Sequence, residues 1–292
     1  MSEISAGLVK ELREMTGLGM MECKKALTES GGDLGKAEEI LRIRSGAKAN
    51  KASGRIASEG VIGAWVSADA RTGALVEINC ETDFVAKNGD FVGFARALAE
   101  VVAKSAPADA AALGALPIDG TTVEARRQAL VQKIGENVTV RRFERIEAGA
   151  RIGLYLHGTR IGVLVEYDGA EDAGKDVAMH IAFAKPLYLS RSEVPQTVVA
   201  REREILEARA RESGKPPEIV ARMVEGGLNK FLGEITLLGQ PFVKDDKQTV
   251  GKMLAARKSR VAGYRFLVVG EGLAKKTTDF AVEVAAAAGG GR

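Results

Sequence analysis

The sequence predicts an α+β protein, and three observations carry that expectation. The first fifty-odd residues show helical spacing alone. A strand hairpin followed by a helix occurs twice in the middle of the chain. Two long helical patterns are then separated by SGKPP (213–217), which no helix runs through unbroken.

Taken in order, Ser5 is placed to cap a helix through Glu14, with Leu8, Val9 and Leu12 on one face. TGLG (16–19) ends it. A second helix carries Met20, Cys23 or Lys24, and Leu27 at helical spacing, and Gly31-Gly32 stops it. Asp33 caps a third, with Ala37, Ile40 and Leu41 in line. Residues 1–54 therefore form a three-helix module with a thin core. The basic stretch RIRSGAKANKASGR (42–55), rich in small residues, reads as a solvated linker.

Strand signals follow in VIGAWVS and ALVEINC, joined by ADARTG. In the second strand Ala74, Val76, Ile78 and Cys80 share a face, and Glu77 and Asn79 lie on the other. Asp90 is the expected cap of a helix that turns Phe91, Phe94 or Ala95, Leu98 and Val102 to the core. An Ala/Pro-rich stretch (107–120) reads as a variable surface loop, ahead of a helix over VEARRQALVQKI and a strand over VTVRRFERI. The hairpin-plus-helix pattern returns as RIGLYLH, IGVLVEY and DVAMHIAFA, a helix stopped by Pro186. The core thus divides into related α+β subdomains at 55–146 and 147–270, each with an antiparallel sheet. The second includes an antiparallel helical hairpin, about 195–235, expected to project from the body. Its apolar seam is Ile219, Met223, Leu228, Phe231 or Leu232, and Ile235. A last strand, YRFLVV, precedes a C-terminal helical module (271–292), where Thr278 caps and Phe280 docks an Ala-rich helix.

Composition narrows the function. Among 292 residues, 42 basic and 39 acidic side chains leave a net charge of +3, without the dominant basic surface of a nucleic-acid binder. The two cysteines, Cys23 and Cys80, form no CxxC, so neither a zinc site nor a disulfide framework is expected, and a reducing cytoplasmic setting fits. No signal peptide and no membrane-spanning run are expected. No phosphate loop, HExxH or GxSxG occurs. Of two histidines, His157 ends a strand and His180 sits on an apolar helical face, where a hydrogen-bonded core role is expected. No catalytic residue, metal ligand or cofactor is expected, and the chain is not expected to be an enzyme.

INCETDFVAKNGDF (78–91) breaks the pattern. Thr82 or Asp83 can cap one helical turn and Asn88-Gly89 starts another, which leaves Phe84 and Val85 on a short stub. Local pattern alone favours Phe84 folding back as a staple on Phe91 or Phe94. The other reading is a preorganised wedge for a partner's crevice, with Asp83 beside it. The second repeat has YDGAEDAGK at the corresponding place, with no apolar tip, so the scaffold itself does not require the ring.

LVKELREMTGLGMMECKKAL, EINCETDFVAKN, VQKIGENVTVRR, SGKPPEIVARMVEGGLNKF, LLGQPFVKD and FLVVGEG, in this order, resemble bacterial elongation factor Ts over nearly the whole chain. The departures are the Ala/Pro-rich insertion and Gly226-Gly227, where a basic residue is expected second. The resemblance implies a nucleotide exchange factor for the GTPase elongation factor Tu, with an N-terminal module like ubiquitin-associated domains. It implies that Thr82, Asp83, Phe84 and Val85 disturb magnesium coordination in the partner. It also implies partner contacts from the N-terminal module, at Leu12, Gly17, Gly19 and Met20, from the C-terminal helix at Phe280, and from the second subdomain near His180. No direct nucleotide binding, membrane or specific nucleic acid is implied. A homodimer or a 2:2 complex with elongation factor Tu stays open. The alternative class is a ribosome- or RNA-associated protein using the basic residues of 42–55 and Arg141-Arg142. A ubiquitin-type adaptor would rest on the N-terminal module alone.

Overall fold

A computed structural model describes residues 4–274, and these divide into two units. The first unit contains residues 4–65, 74–143 and 267–274, and the second 66–73 and 144–266. The predicted closing helix with Thr278 and Phe280 lies outside the described residues.

The first unit begins with α1 (Ala6–Thr16), α2 (Met20–Glu29) and α3 (Leu34–Ala52). The Ser5 hydroxyl accepts from the Leu8 N–H, and Asp33 accepts from the Lys36 N–H. Gly17, at φ 67°, turns the chain out of α1 in a left-handed conformation that glycine adopts without steric cost. Val9, Leu12, Cys23, Leu27, Ala37 and Leu41 make the core of these helices. β1 (Glu59–Val66), β2 (Thr72–Cys80), α4 (Asp83–Ala86) and α5 (Gly89–Ser105) follow. Next come α6 (Ala110–Ala115), β3 (Pro117–Ile118), β4 (Thr121–Thr122), α7 (Val123–Ile134) and β5 (Thr139–Glu147). The sheet order is β1-β2-β5. Its main core sets Val76, Ile78 and Cys80 with Phe91, Phe94, Leu98 and Val102 of α5.

Three sequence expectations are corrected here. The supposed linker is helix: α3 runs 19 residues through it. Ser45, Ala49 and Ala52 form a buried stripe at helical spacing, and small residues let α3 lie close along α7. A Cβ on Gly46 would stand 3.3 Å from the Gln128 Oε1. Small residues that suggest a tether are here those of a tight helix contact. The cap of α5 is Asn88, whose Oδ1 accepts from the Asp90 and Phe91 N–H groups, while Asp90 pairs with Lys133 at 2.7 Å. The Ala/Pro-rich stretch is ordered into α6 and the β3–β4 hairpin, pinned by buried Leu113 and Ile118.

The second unit contains β6 (Arg151–His157), β7 (Ile161–Asp168), α8 (Glu171–Ala184), α9 (Gln196–Glu212) and α10 (Pro217–Ile235). β8 (Pro241–Phe242), β9 (Asp245–Thr249), α11 (Val250–Ala256) and β10 (Arg260–Val268) complete it. Its sheet order is β10-β7-β6, with β6 antiparallel to β7 and His157 opposite Ile161. The order of elements repeats that of the first unit: two long strands, a helix, a short hairpin, a helix and a third long strand beside the second. Thr122 and Thr249 cap α7 and α11 at equivalent places, each followed by a buried valine, Val123 or Val250. The repeat is longer than the hairpin and helix read from the sequence.

In α10 the buried residues are Val224 and Leu228, whereas Ile219 and Met223 are exposed. The seam is therefore rotated from the predicted one. Gly227 explains the shift, because a Cβ there would lie 2.8 Å from Leu206 Cδ2 of α9. The missing side chain at this departure from the expected pattern is filled by the neighbouring helix.

Glu77 is the charged residue that β2 buries completely. It accepts from Arg141 Nη1 at 3.0 Å, Arg142 Nε at 2.6 Å, Asn79 Nδ2 at 3.1 Å and the Gly270 N–H at 2.8 Å. Burial alone would raise its carboxyl, but the Gly270 N–H and the two guanidiniums outweigh it and hold it below the 4.5 usual for glutamate. Its contribution is thus full above pH 4.5 and is lost as pH falls through the lower folded-state value. Glu77→Ala should cost about 3 kcal/mol in urea unfolding at pH 7, by removing the buried carboxylate that two guanidiniums share. The variant should also lose less stability than wild type when titrated into acid.

Candidate functional site

The turn after β2 is built to hold its own backbone. Thr82 leaves the strand in an extended conformation and caps α4, its Oγ1 accepting from the Val85 N–H at 3.4 Å. The same hydroxyl gives its one proton to Glu136 Oε1 at 2.6 Å, so its lone pairs face Val85. Glu136 Oε2 accepts from the Glu81 and Thr82 N–H groups, both at 3.0 Å. Gly135, at φ 84°, ends α7 in the left-handed conformation and turns the chain so that Glu136 meets β2. Glu81 accepts from the Asn137 N–H at 2.7 Å and from Arg55 Nη1 at 2.9 Å. Val85 and Ala86 are buried and root the turn in the main core.

Phe84 stands outside all of this, 80% exposed, while Phe91 and Phe94 are fully buried. The staple reading is therefore wrong for this chain: α4 is a single turn whose buried side is taken by Val85 and Ala86, which leaves the preceding residue facing water. Lys87 Nζ bonds Asp83 Oδ2 at 2.7 Å and lies 5.9 Å from the Phe84 ring centroid. The Lys87 hydrogen bond holds the Asp83 carboxyl below its usual range, so Asp83 is ionised at neutral pH. Burial pushes the Cys80 thiol up to about 12, and Cys80 donates to the Thr82 carbonyl. It is a structural thiol, not a nucleophile.

The remaining predicted residues that the structure describes lie outside this turn, on or beside α1, α2 and α8. Leu12 is a core residue and offers no surface of its own. Gly17 and Gly19 are exposed and frame the turn between α1 and α2, with a Cβ on Gly17 standing 3.2 Å from Lys133 Nζ. Met20 opens α2 and points to solvent, not to the core. Met15 and Met21, not singled out from sequence, are exposed as well, and a methionine on each side of TGLG was the signal available. His180 is buried: Nδ1 accepts from the Val243 N–H at 3.2 Å, which makes Nε2 the donor to Gln240 Oε1 at 3.0 Å. Burial lowers its pKa, which keeps the ring neutral. Its role is to fix the 240–243 segment. Phe183, just beyond His180, and Leu187 are among the exposed apolar side chains of the second unit. Glu136 and Asn137 were missed, although VQKIGENVTVRR was a visible motif.

Other features narrow the chemistry. Among the described residues no cluster of histidine, cysteine, aspartate and glutamate is arranged to hold a metal, and no helix is long and apolar enough to cross a membrane. Within the basic stretch 42–55, Arg44 pairs with Glu29, Lys48 with Glu22 and Arg55 with Glu81, and Arg141-Arg142 are committed to Glu77.

A hydrogen-bonded turn that holds the Phe84 ring out to solvent has the form of a protein-binding site. Residues 81–271 match the family model described as Elongation factor TS. The chain is 61% identical over 290 residues to Elongation factor Ts of Bordetella petrii, covering 99% of each chain. It is 58% identical to the proteins of that name from Cupriavidus necator and Paraburkholderia phytofirmans, covering 98% of this chain and 97% of each relative. The chain belongs to the elongation factor Ts family, whose members are factors of protein biosynthesis.

Because Phe84 contributes little buried area, Phe84→Ala should leave the urea midpoint within about 0.5 kcal/mol of wild type. Phe91→Ala should cost about 3–5 kcal/mol in the same measurement.

Proposed function

We propose that the chain is a guanine-nucleotide exchange factor for elongation factor Tu and that Phe84 is its wedge. Family membership supports the partner, and the 80% exposure of Phe84 on an otherwise fully bonded turn is the observation that supports the wedge. A GTPase holds GDP in part through a magnesium ion that bridges phosphate oxygens and protein ligands. That ion belongs to the partner. A ring driven between two elements of the partner moves those ligands, and Thr82, Asp83 and Val85 hold the ring at the entry point. Asp83 exchanges Lys87 for a donor on the partner.

No bond chemistry is needed. The factor accelerates release by binding nucleotide-free partner more tightly than GDP-bound partner, and by linkage GDP weakens the factor to the same extent. Each factor of ten corresponds to about 1.4 kcal/mol, so one buried aromatic anchor worth ~2 kcal/mol or more, together with lost magnesium ligation, supplies a factor of hundreds. The turn around Gly17, Gly19 and Met20, the C-terminal residues around Phe280 and the face of the second unit near His180 serve as further contacts. The setting is the cytoplasm, where the partner works. The pairing of the basic side chains within the chain favours this reading over an RNA-binding one.

The test is release of labelled GDP from elongation factor Tu followed by stopped flow. Phe84→Ala should lose most of the acceleration, about 30-fold or more if the ring supplies ~2 kcal/mol. Full acceleration by a variant with a native melting profile would exclude the wedge.

A further inference from the structure

The wedge is effective only if its base does not yield, and one carboxylate binds that base at three points. Glu136 takes three hydrogen bonds from two consecutive residues: the Glu81 N–H, the Thr82 N–H and the Thr82 hydroxyl. Burial of Val85 and Ala86 fixes the inner side of α4, and at the point where β2 ends and the turn begins Glu136 binds the N–H groups of both Glu81 and Thr82. The carboxylate also decides the direction of the Thr82 hydroxyl, and therefore whether Val85 N–H keeps its cap. The neighbouring Asn137 donates from Nδ2 to the Arg55 carbonyl at 2.8 Å and, at 3.4 Å, to that of Ser53. One polar chain thus runs from the end of α3 through Asn137, Glu81 and Glu136 to Thr82.

We propose that Glu136 is a positioning residue for nucleotide exchange: it touches neither partner nor nucleotide, and it sets the angle at which Phe84 is delivered. The inference rests on the wedge reading given above. Without the carboxylate, two strand-end N–H groups turn to water and the hydroxyl rotates, so α4 rocks about its buried side. A ring that must enter a crevice loses effect steeply with displacements of about 1 Å.

The experiment uses the full chain with elongation factor Tu. Glu136→Ala should slow labelled-GDP release on the order of tenfold or more. Glu136→Gln, which keeps an acceptor for the two N–H groups and an amide that can donate to Thr82, should recover much of that loss. Amide exchange at Glu81, Thr82 and Val85 should quicken in Glu136→Ala. In a Phe84→Ala background, Glu136→Ala should cost nothing further, because a positioning residue has nothing left to position. A loss that multiplies with that of Phe84→Ala, or an undiminished rate in a natively melting Glu136→Ala, overturns the proposal. Should Glu136→Ala unfold at the assay temperature, Thr82→Val removes the oriented hydroxyl alone and must show the same dependence on Phe84. The two readings fail separately: full exchange by Phe84→Ala sinks the wedge, whereas slow exchange by Phe84→Ala beside normal exchange by Glu136→Ala sinks only the role of Glu136.

Discussion

A phenylalanine ring kept in water forgoes the roughly 1.5–3 kcal/mol that burial would bring, and a flexible turn would recover much of it by folding the ring onto the nearest apolar surface. In this chain such surface is close in sequence, since Phe91, seven residues on, lies in the first turn of the next helix. What prevents the collapse is the backbone. Thr82, Val85 and Asn88 are each committed to a hydrogen bond that fixes the direction of α4, and the buried faces of Val85 and Ala86 occupy the place the ring would take. Exposure of the ring is a consequence of a turn with no freedom left.

The repeat shows how such a device is added to a fold without disturbing it. Both units use the same succession of strands and helices, and in the second the chain passes from β7 through Gly169 and Ala170 directly into α8. Those two residues are all that separates β7 from α8, whereas the first unit inserts a whole helical turn, α4, between β2 and α5. The second unit carries its own insertion, α9 and α10, between α8 and β8, where the first has only α6. Each copy of one scaffold has been extended at a different connection. Loops between packed elements tolerate this because added residues disturb few buried contacts.

Much of this was legible in the sequence because it follows from periodicity. The line Phe91, Phe94, Leu98 and Val102 is buried as its spacing requires, and α7 begins and ends where VEARRQALVQKI does. What could not be read depends on partners far along the chain. Glu77 looks like a solvent-facing residue until Arg141, Arg142 and Gly270 arrive at it. The stretch 42–55 reads as a tether because small and basic residues suit both a tether and a close helix contact, and only the presence of α7 decides between them. Of the site, Phe84 and its capping threonine were visible as a local anomaly. Glu136, 52 residues beyond Phe84, was not, because a single glutamate after a helix-ending glycine carries no local sign of what it holds.

The continuity of α3 has a mechanical consequence. At 1.5 Å per residue the helix is about 28 Å long. Ala37 and Leu41 near its start belong to the core of the first three helices, and Ala49 and Ala52 near its end to the main core of the same unit. The N-terminal helices are therefore carried on a strut and not on a leash, and when they meet a partner they bring little loose chain to be ordered. A chain cut to begin after Gly54 would forfeit two interior side chains along with the module, so the smallest autonomous version of this unit starts well before the point at which the sequence first suggests strands.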